Sequence, residues 1–511
     1  MSKIELIRIF SHTLPDSAPD LGIACLAAFL KKNNVGVKVT ALELFNKGVA
    51  LYEAPPGSGL VTENWDLPVI LTLIRNRDNG NPLYRGVKEI IDKTLRGRAV
   101  TDSGLAENNL KKIYRRLKKN YNGPGCRGAA GFKVDSMNPV FVVMLSIILR
   151  QTEPGIKIIL GGLPVTLNTG LSKILLKTGV ADVIVTGEGE ATLLEVLHKI
   201  EVDESPAVDG TITYDTDARR FRVLPQTAFL GLNELPYPDF TGQEGRSFGR
   251  LPVMASRGCV YSCAYCSFSC GLYKYRRMGY SSTVDMMQYL SRKYGVKDFH
   301  FDDNALNYST SWLESFADEL ISRQTDFSWF TYFSPEAGIS EALAQKLKKA
   351  GLARAVIGAQ SFSDRTLELM GRRCSGAKTL KMVEIFATSG ITVMIDVISG
   401  FPGEVEKSFQ ETQKTLKYLL EKHPGVKVKI FPFEIAVSSR CFRDHAKYGI
   451  RFYPFSPLSR IVPEVGGIAV CMPMYYKASG MGSVKKRYRM LKQYEHLTHM
   501  RSGKTGRPLY A

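Results

Sequence analysis

The chain has 511 residues, 44% of them apolar and 23% charged, a balance that suits a folded protein with two or three cores and excludes a disordered chain. Lysine and arginine outnumber aspartate and glutamate by 68 to 49, a formal net charge of +19. That field favours anionic partners: nucleic acid, phosphorylated metabolites, or the phosphates and carboxylates of cofactors. Nine cysteines with three clustered do not form the framework of a disulfide-stapled protein and suit a reducing, cytoplasmic setting. The opening Met1-Ser2-Lys3-Ile4-Glu5 carries no signal peptide, and the longest apolar run, 140–149, is too short for a bilayer.

In chain order, 4–10 reads as a strand, Leu21–Lys32 as a helix and 35–39 as a second strand. Strands at 131–134, 156–160 and 181–185 follow, with helices at 137–151 and 171–177 between them. The alternation predicts an α/β, doubly wound, flavodoxin-like domain over 1–200. Two glycine groups, Gly161-Gly162 and Gly187-Glu188-Gly189, fall just after strands, where such sheets bind ligands. Glycine there lets a planar ligand approach the backbone; for either group alone, a capping turn explains it equally well. A long insertion, about 53–128, interrupts the domain and holds helical stretches at 87–96 and 105–119, the second dense in lysine and arginine. The stretch 201–250 reads as a linker with a hairpin at 210–223, stiffened at its end by Pro236 and Pro238.

From 251 to 455 strands and helices alternate again. Strands are expected at 251–255, 298–301, 329–333, 354–358, 392–398 and 426–431, and six strands predict an open, partial (β/α)6 barrel of the TIM type. Just after the first of them stands Cys259-x3-Cys263-x2-Cys266. Soft thiolates at this spacing converge on a metal centre, zinc or iron–sulfur. Three ligands leave one iron of a cubane open for a substrate or cosubstrate. With Cys270 as a fourth, the site would be closed. Later strand ends carry further polar groups: Asp302, Asp303 and Asn304, then Gln360 and Ser361, then Glu434. Arg365, Arg372 and Arg373 are candidate carboxylate partners. Residues 456–511 form a C-terminal extension with a basic tail.

The cysteine loop, with Tyr265 before its last thiol, resembles the signature of the radical SAM superfamily. Phe299-His300-Phe301-Asp302-Asp303-Asn304, Ile357-Gly358-Ala359-Gln360-Ser361 and Ser399-Gly400-Phe401-Pro402-Gly403-Glu404 resemble its later strand ends in order. The first 200 residues resemble the cobalamin-binding domain that precedes it in one methyltransferase-rich subgroup, although the Asp-x-His-x-x-Gly motif that ligates cobalt elsewhere is absent. The resemblance implies a 4Fe-4S cluster on Cys259, Cys263 and Cys266, and S-adenosylmethionine (SAM) on its free iron. Asp302 and Asp303 would serve the SAM amino group, Gln360 and Ser361 its ribose or carboxylate, and Tyr265 its adenine. A corrinoid would lie over the leading sheet, and Glu434 would complete the cofactor-binding set. The implied reaction is transfer of a methyl group from SAM, through methylcobalamin, to an unactivated carbon of a small molecule, lipid or peptide. Electrons would come from a donor such as flavodoxin or ferredoxin. A cobalamin-dependent cyclase or redox enzyme is the nearest alternative. An RNA methylthiotransferase is disfavoured because the N-terminal part lacks a second cysteine triad. A non-enzymatic metal- or corrinoid-binding module is the remaining one.

Overall fold

The computed structural model describes residues 3–10, 19–43, 128–135, 139–243, 248–270, 273–436, 438–452 and 476–477. The helices expected at 87–96 and 105–119, most of the extension 456–511, and the side chain of Cys270 lie outside them. The described residues fall into two compact units, one from the start to Leu230 with Leu235–Ser247, the other Gly231–Glu234 with Phe248–Tyr453.

The first unit is built on β1 (Lys3–Phe10), β2 (Gly36–Glu43), β3 (Ala129–Lys133), β4 (Lys157–Gly161) and β5 (Val183–Val185), all parallel. Strand order β2-β1-β3-β4-β5 places the topological switch between β1 and β3, the doubly wound arrangement expected. The hairpin read as part of a linker does more than connect. As β6 (Thr211–Asp215) and β7 (Arg220–Leu224) it adds two antiparallel strands to the edge of this sheet, β6 bonding to β5.

Helix Leu21–Lys32 starts where the Asp20 carboxylate accepts from the Ile23 amide at 2.9 Å. It buries Ile23, Ala27 and Leu30 against Ile4, Leu6 and Ile159. Gln243 brackets the same cap, its amide oxygen accepting from Asp20 N and its NH2 donating to Asp20 O. Helix Gly189–Glu201 was concealed in the sequence by its glycine-rich start, yet its Leu193, Val196 and Leu197 join the same core.

In the second unit β8 (Leu251–Val253) precedes a small antiparallel pair, β9 (Ser256–Arg257) with β10 (Arg276–Arg277). Then come β11 (Asp298–Phe301), β12 (Ser328–Phe333), β13 (Leu352–Gln360), β14 (Thr392–Ser399) and β15 (Val426–Pro432). The sheet order, β15-β14-β13-β12-β11-β8, follows the chain without a reversal, and every neighbouring pair is parallel. This is a partial barrel: β8 and β15 are its free edges among the described strands.

Period-2 alternation sorts each strand into two faces. Phe299, Phe301, Trp329, Phe333, Ile357, Val393, Ile395 and Val397 are buried. Aromatic edges lock this layer, with Trp329 5.7 Å from Phe301 and 5.5 Å from Phe316, and the indole N–H donates to Ala350 O at 2.7 Å. The alternate residues, His300, Phe330, Tyr332, Arg354, Gly358 and Asp396, are only partly buried or exposed. They form a polar-aromatic face in which the Arg354 guanidinium lies 3.9 Å from the Phe330 ring centre.

Candidate functional site

The cysteine loop leaves the second sheet after β8 and is held at both ends. Gly258 has φ +81°, and a Cβ there would meet the Lys274 carbonyl at 2.7 Å, so the turn into Cys259 needs glycine. The Asn304 amide donates to Gly258 O at 2.8 Å. Further on, Ala264 N donates to Met370 O at 2.8 Å, and Cys441 N to Ala264 O at 2.9 Å. Between these anchors Cys263 is buried and Cys259 and Cys266 are partly so, all three as free thiols. Burial pushes the Cys263 thiol up while the Arg372 charge pulls it back.

Three free thiols on one anchored turn fit the donor set of an iron–sulfur cluster, whose irons spread its ligands apart. Among the described residues, no three His, Cys, Asp or Glu groups converge as one bare metal ion would require.

The strand-end residues divide sharply. Asp302 is half exposed, 3.3 Å from His300 Nε2. Asp303 is turned inward: its carboxylate accepts from Ala255 N at 2.9 Å and from the Ser256 hydroxyl at 2.5 Å. Burial raises its pKa to about 7. It fixes the chain just ahead of the cysteine loop, so two of its acceptor positions are already taken.

Gln360 ends β13 at a register shift with φ 64°, a left-handed conformation rare outside glycine. Ser361 already has protein partners. It is buried, its hydroxyl 3.0 Å from that of Thr412 and accepting from Ser363 N at 3.1 Å, so its polar capacity is spent inside the protein. Tyr265 likewise has protein partners. Its ring packs beside Met370, Phe401 and Phe433, and its hydroxyl accepts from Arg372 at 3.1 Å. Glu434 lies just beyond β15, partly buried.

Two groups were missed in the sequence. Glu336 forms an ion pair with Arg372 at 2.7 Å, the side chains only 7% and 6% exposed. Arg372 donates as well to Gly358 O at 3.1 Å, tying the end of β13 to the cysteine loop through Tyr265. Asp396 sits in β14 beside Gly358, and burial raises its pKa to about 6. Its Oδ1 is enclosed yet has no hydrogen-bond partner among the described residues. A bound hydroxyl or amine would satisfy it. The signal that could have found it is an aspartate breaking the apolar run of β14.

At the carboxyl edge of the first sheet the glycines play distinct parts. Gly162 has φ +115° and Gly187 φ +73°; an added Cβ would collide with the Val134 carbonyl in one case and Gln226 in the other. The fold itself requires both. Gly161 has ordinary φ, and a Cβ there would meet nothing described nearer than 3.6 Å, so no described neighbour demands glycine at that position. The Glu188 backbone is bracketed by the Gln226 amide, both bonds 2.9 Å, and Gly189 opens the following helix against Leu26.

Residues 253–416 match the Radical SAM superfamily. An uncharacterized methyltransferase of Pyrococcus horikoshii is 24% identical over 280 residues, 53% of this chain and 60% of its own length. The anaerobic magnesium-protoporphyrin IX monomethyl ester cyclase of Rubrivivax gelatinosus is 22% identical over 279 residues, 52% of this chain and 50% of its own. The chain thus spans little more than half the length of these curated relatives. The superfamily match covers the stretch that holds the Cys259–Cys263–Cys266 loop and strands β11 to β14, and SAM and a 4Fe-4S cluster are that superfamily's cofactors. The chain is similar in fold to the radical SAM methyltransferase from Kitasatospora setae solved with cobalamin and a 4Fe-4S cluster, a likeness that covers 98% of this chain and 89% of that one (TM-score 0.64, 15% identity).

Proposed function

We propose that this chain is a cobalamin-dependent radical SAM methyltransferase that moves a methyl group from SAM, by way of cobalamin, to an unactivated carbon of a small molecule. The observation that carries the reading is the pairing, in one chain, of the anchored Cys259–Cys263–Cys266 loop with a doubly wound sheet whose carboxyl edge keeps Gly161 clear. When bound, the cluster and SAM supply radical chemistry and the corrinoid supplies methyl transfer.

The chain's own residues bind and orient. The three thiolates hold the cluster. Arg372 and Glu336 fix the loop that carries them, and their pairing leaves neither charge exposed to water. Asp396 Oδ1 offers an acceptor to a hydroxyl or amine of SAM, and the unusual backbone of Gln360 sets its amide at the end of the adjacent strand. Gly161 leaves room for a flat ligand over β4.

A second reading, a cobalamin-dependent cyclase, draws on the likeness to the Rubrivivax enzyme. SAM with a deuterated methyl group, a low-potential reductant and fractionated cell metabolites separate the two. Methyl transfer yields a product heavier by one deuterated methyl. A product with unchanged carbon count and no label overturns the methyltransferase in favour of the cyclase.

A further inference from the structure

Resting on the radical SAM reading, we propose that the Tyr308 hydroxyl donates a hydrogen bond to the Cys259 sulfur of the loaded cluster and raises its reduction potential. Tyr308 Oη lies 3.0 Å from Cys259 Sγ. With a free thiol either atom can donate. A cysteine bound to iron has no proton, so the hydroxyl must.

The phenol is placed from several sides. Its ring meets Tyr261 and Tyr275 edge-on, both at 5.1 Å between centres, with interplanar angles of 74° and 76°. Tyr275 is fixed in turn by Arg277, whose Nε donates to its hydroxyl at 2.7 Å. Arg277 also lies 5.4 Å from the Trp312 ring centre. Beneath, the short helical turn Leu306–Tyr308 is pinned through Asn307, wholly buried, whose amide donates to Ser334 O at 2.9 Å and accepts from Ser334 N at 2.8 Å. The hydroxyl therefore meets the sulfur in a fixed geometry, with no search through rotamers.

Reduction brings one electron from an external low-potential donor, of the flavodoxin or ferredoxin class, into the cluster. No proton moves. The added charge spreads onto the sulfurs, so a fixed donor at one of them stabilises the reduced form over the oxidised one. Tyr308 acts through Cys259, a ligand of the cluster, and is in this sense a positioning residue.

The test is a redox titration of the reconstituted full-length chain, followed by electron paramagnetic resonance. Tyr308→Phe should load the same iron and sulfide but shift the midpoint to lower potential. The equilibrium between reduced and oxidised cluster should change by about tenfold, the size of a charge-assisted hydrogen bond. Tyr418→Phe, which removes a tyrosine hydroxyl on helix Glu406–Lys422 that is bonded to Glu384, should leave the midpoint in place. A midpoint in Tyr308→Phe equal to the parent's overturns the proposal. Should that variant fail to load, the parent chain with tyrosine replaced biosynthetically by 3-fluorotyrosine, a stronger donor, should titrate at higher potential, and an unchanged midpoint there overturns it equally. Failure of the parent itself to take up iron and sulfide defeats the radical SAM reading as a whole, a result distinct from a loaded cluster indifferent to Tyr308.

Discussion

The two sheets end in opposite ways. At the carboxyl edge of the first, the informative residue is one without a side chain: no described neighbour requires Gly161 to be glycine. At the carboxyl edge of the second, side chains crowd in, with three thiols, a buried Glu336–Arg372 pair and the orphaned Asp396 oxygen. A large flat ligand needs clearance and few directed bonds, whereas a cluster and a charged small molecule need ligands set at fixed points. The contrast predicts that the second edge is disabled by deleting a side chain and the first by adding one.

The largest expected loss comes from Glu336→Ala. It leaves the Arg372 guanidinium buried without its counter-charge, and removing one partner of such a pair costs about 3–5 kcal/mol. A denaturant melt should show it, together with poorer iron uptake as Tyr265 loses its tether. Gly162→Ala comes next. Its backbone at φ +115° and its collision with Val134 should cost about 2–4 kcal/mol, and the loss should fall on the first unit. Gly161→Ala is the sharper companion. It should leave stability within about 1 kcal/mol or raise it slightly, while weakening retention of hydroxocobalamin on a desalting column. Equal retention in the two proteins would break the comparison at its first half.

A smaller, pH-dependent effect belongs to Asp303. Its folded pKa of about 7 stands above the unfolded value near ~4. Between those values the folded chain holds a proton that the unfolded chain has released. Its contribution is therefore fully present below about pH 4 and is lost as pH rises towards about 7. Urea midpoints across that window should fall less steeply in Asp303→Asn. The asparagine still accepts one of the two bonds, and the Ser256 hydroxyl can turn to accept from its NH2. An identical slope in both proteins would show the carboxyl is ionised throughout.

Much of this was legible in the sequence, for identifiable reasons. The strands of the second sheet alternate or run apolar between clear helices, so its six positions and their order followed from periodicity. Three soft thiols within eight residues are the donor set of a metal centre and of little else. A hydroxyl at a strand end, such as that of Ser361, gives no sign in the sequence of its contact with Thr412 from helix Glu406–Lys422, 51 positions away. Glu336 and Arg372 could be paired only in three dimensions, since nothing local in either segment marks a partner 36 residues distant. The hairpin's place on the first sheet was equally hidden, because the turn sets how β6 and β7 pair and says nothing of β5.

The central claim is that the Cys259–Cys263–Cys266 loop carries the cluster while the leading domain carries the corrinoid. The most direct measurement is an anaerobic absorbance spectrum of the desalted chain after reconstitution with iron, sulfide and hydroxocobalamin, beside that of Cys263→Ala. The account predicts cluster and corrinoid bands together in the parent, and loss of the cluster band alone in the variant. A cluster band that survives Cys263→Ala, or a parent chain that retains neither chromophore, would contradict it.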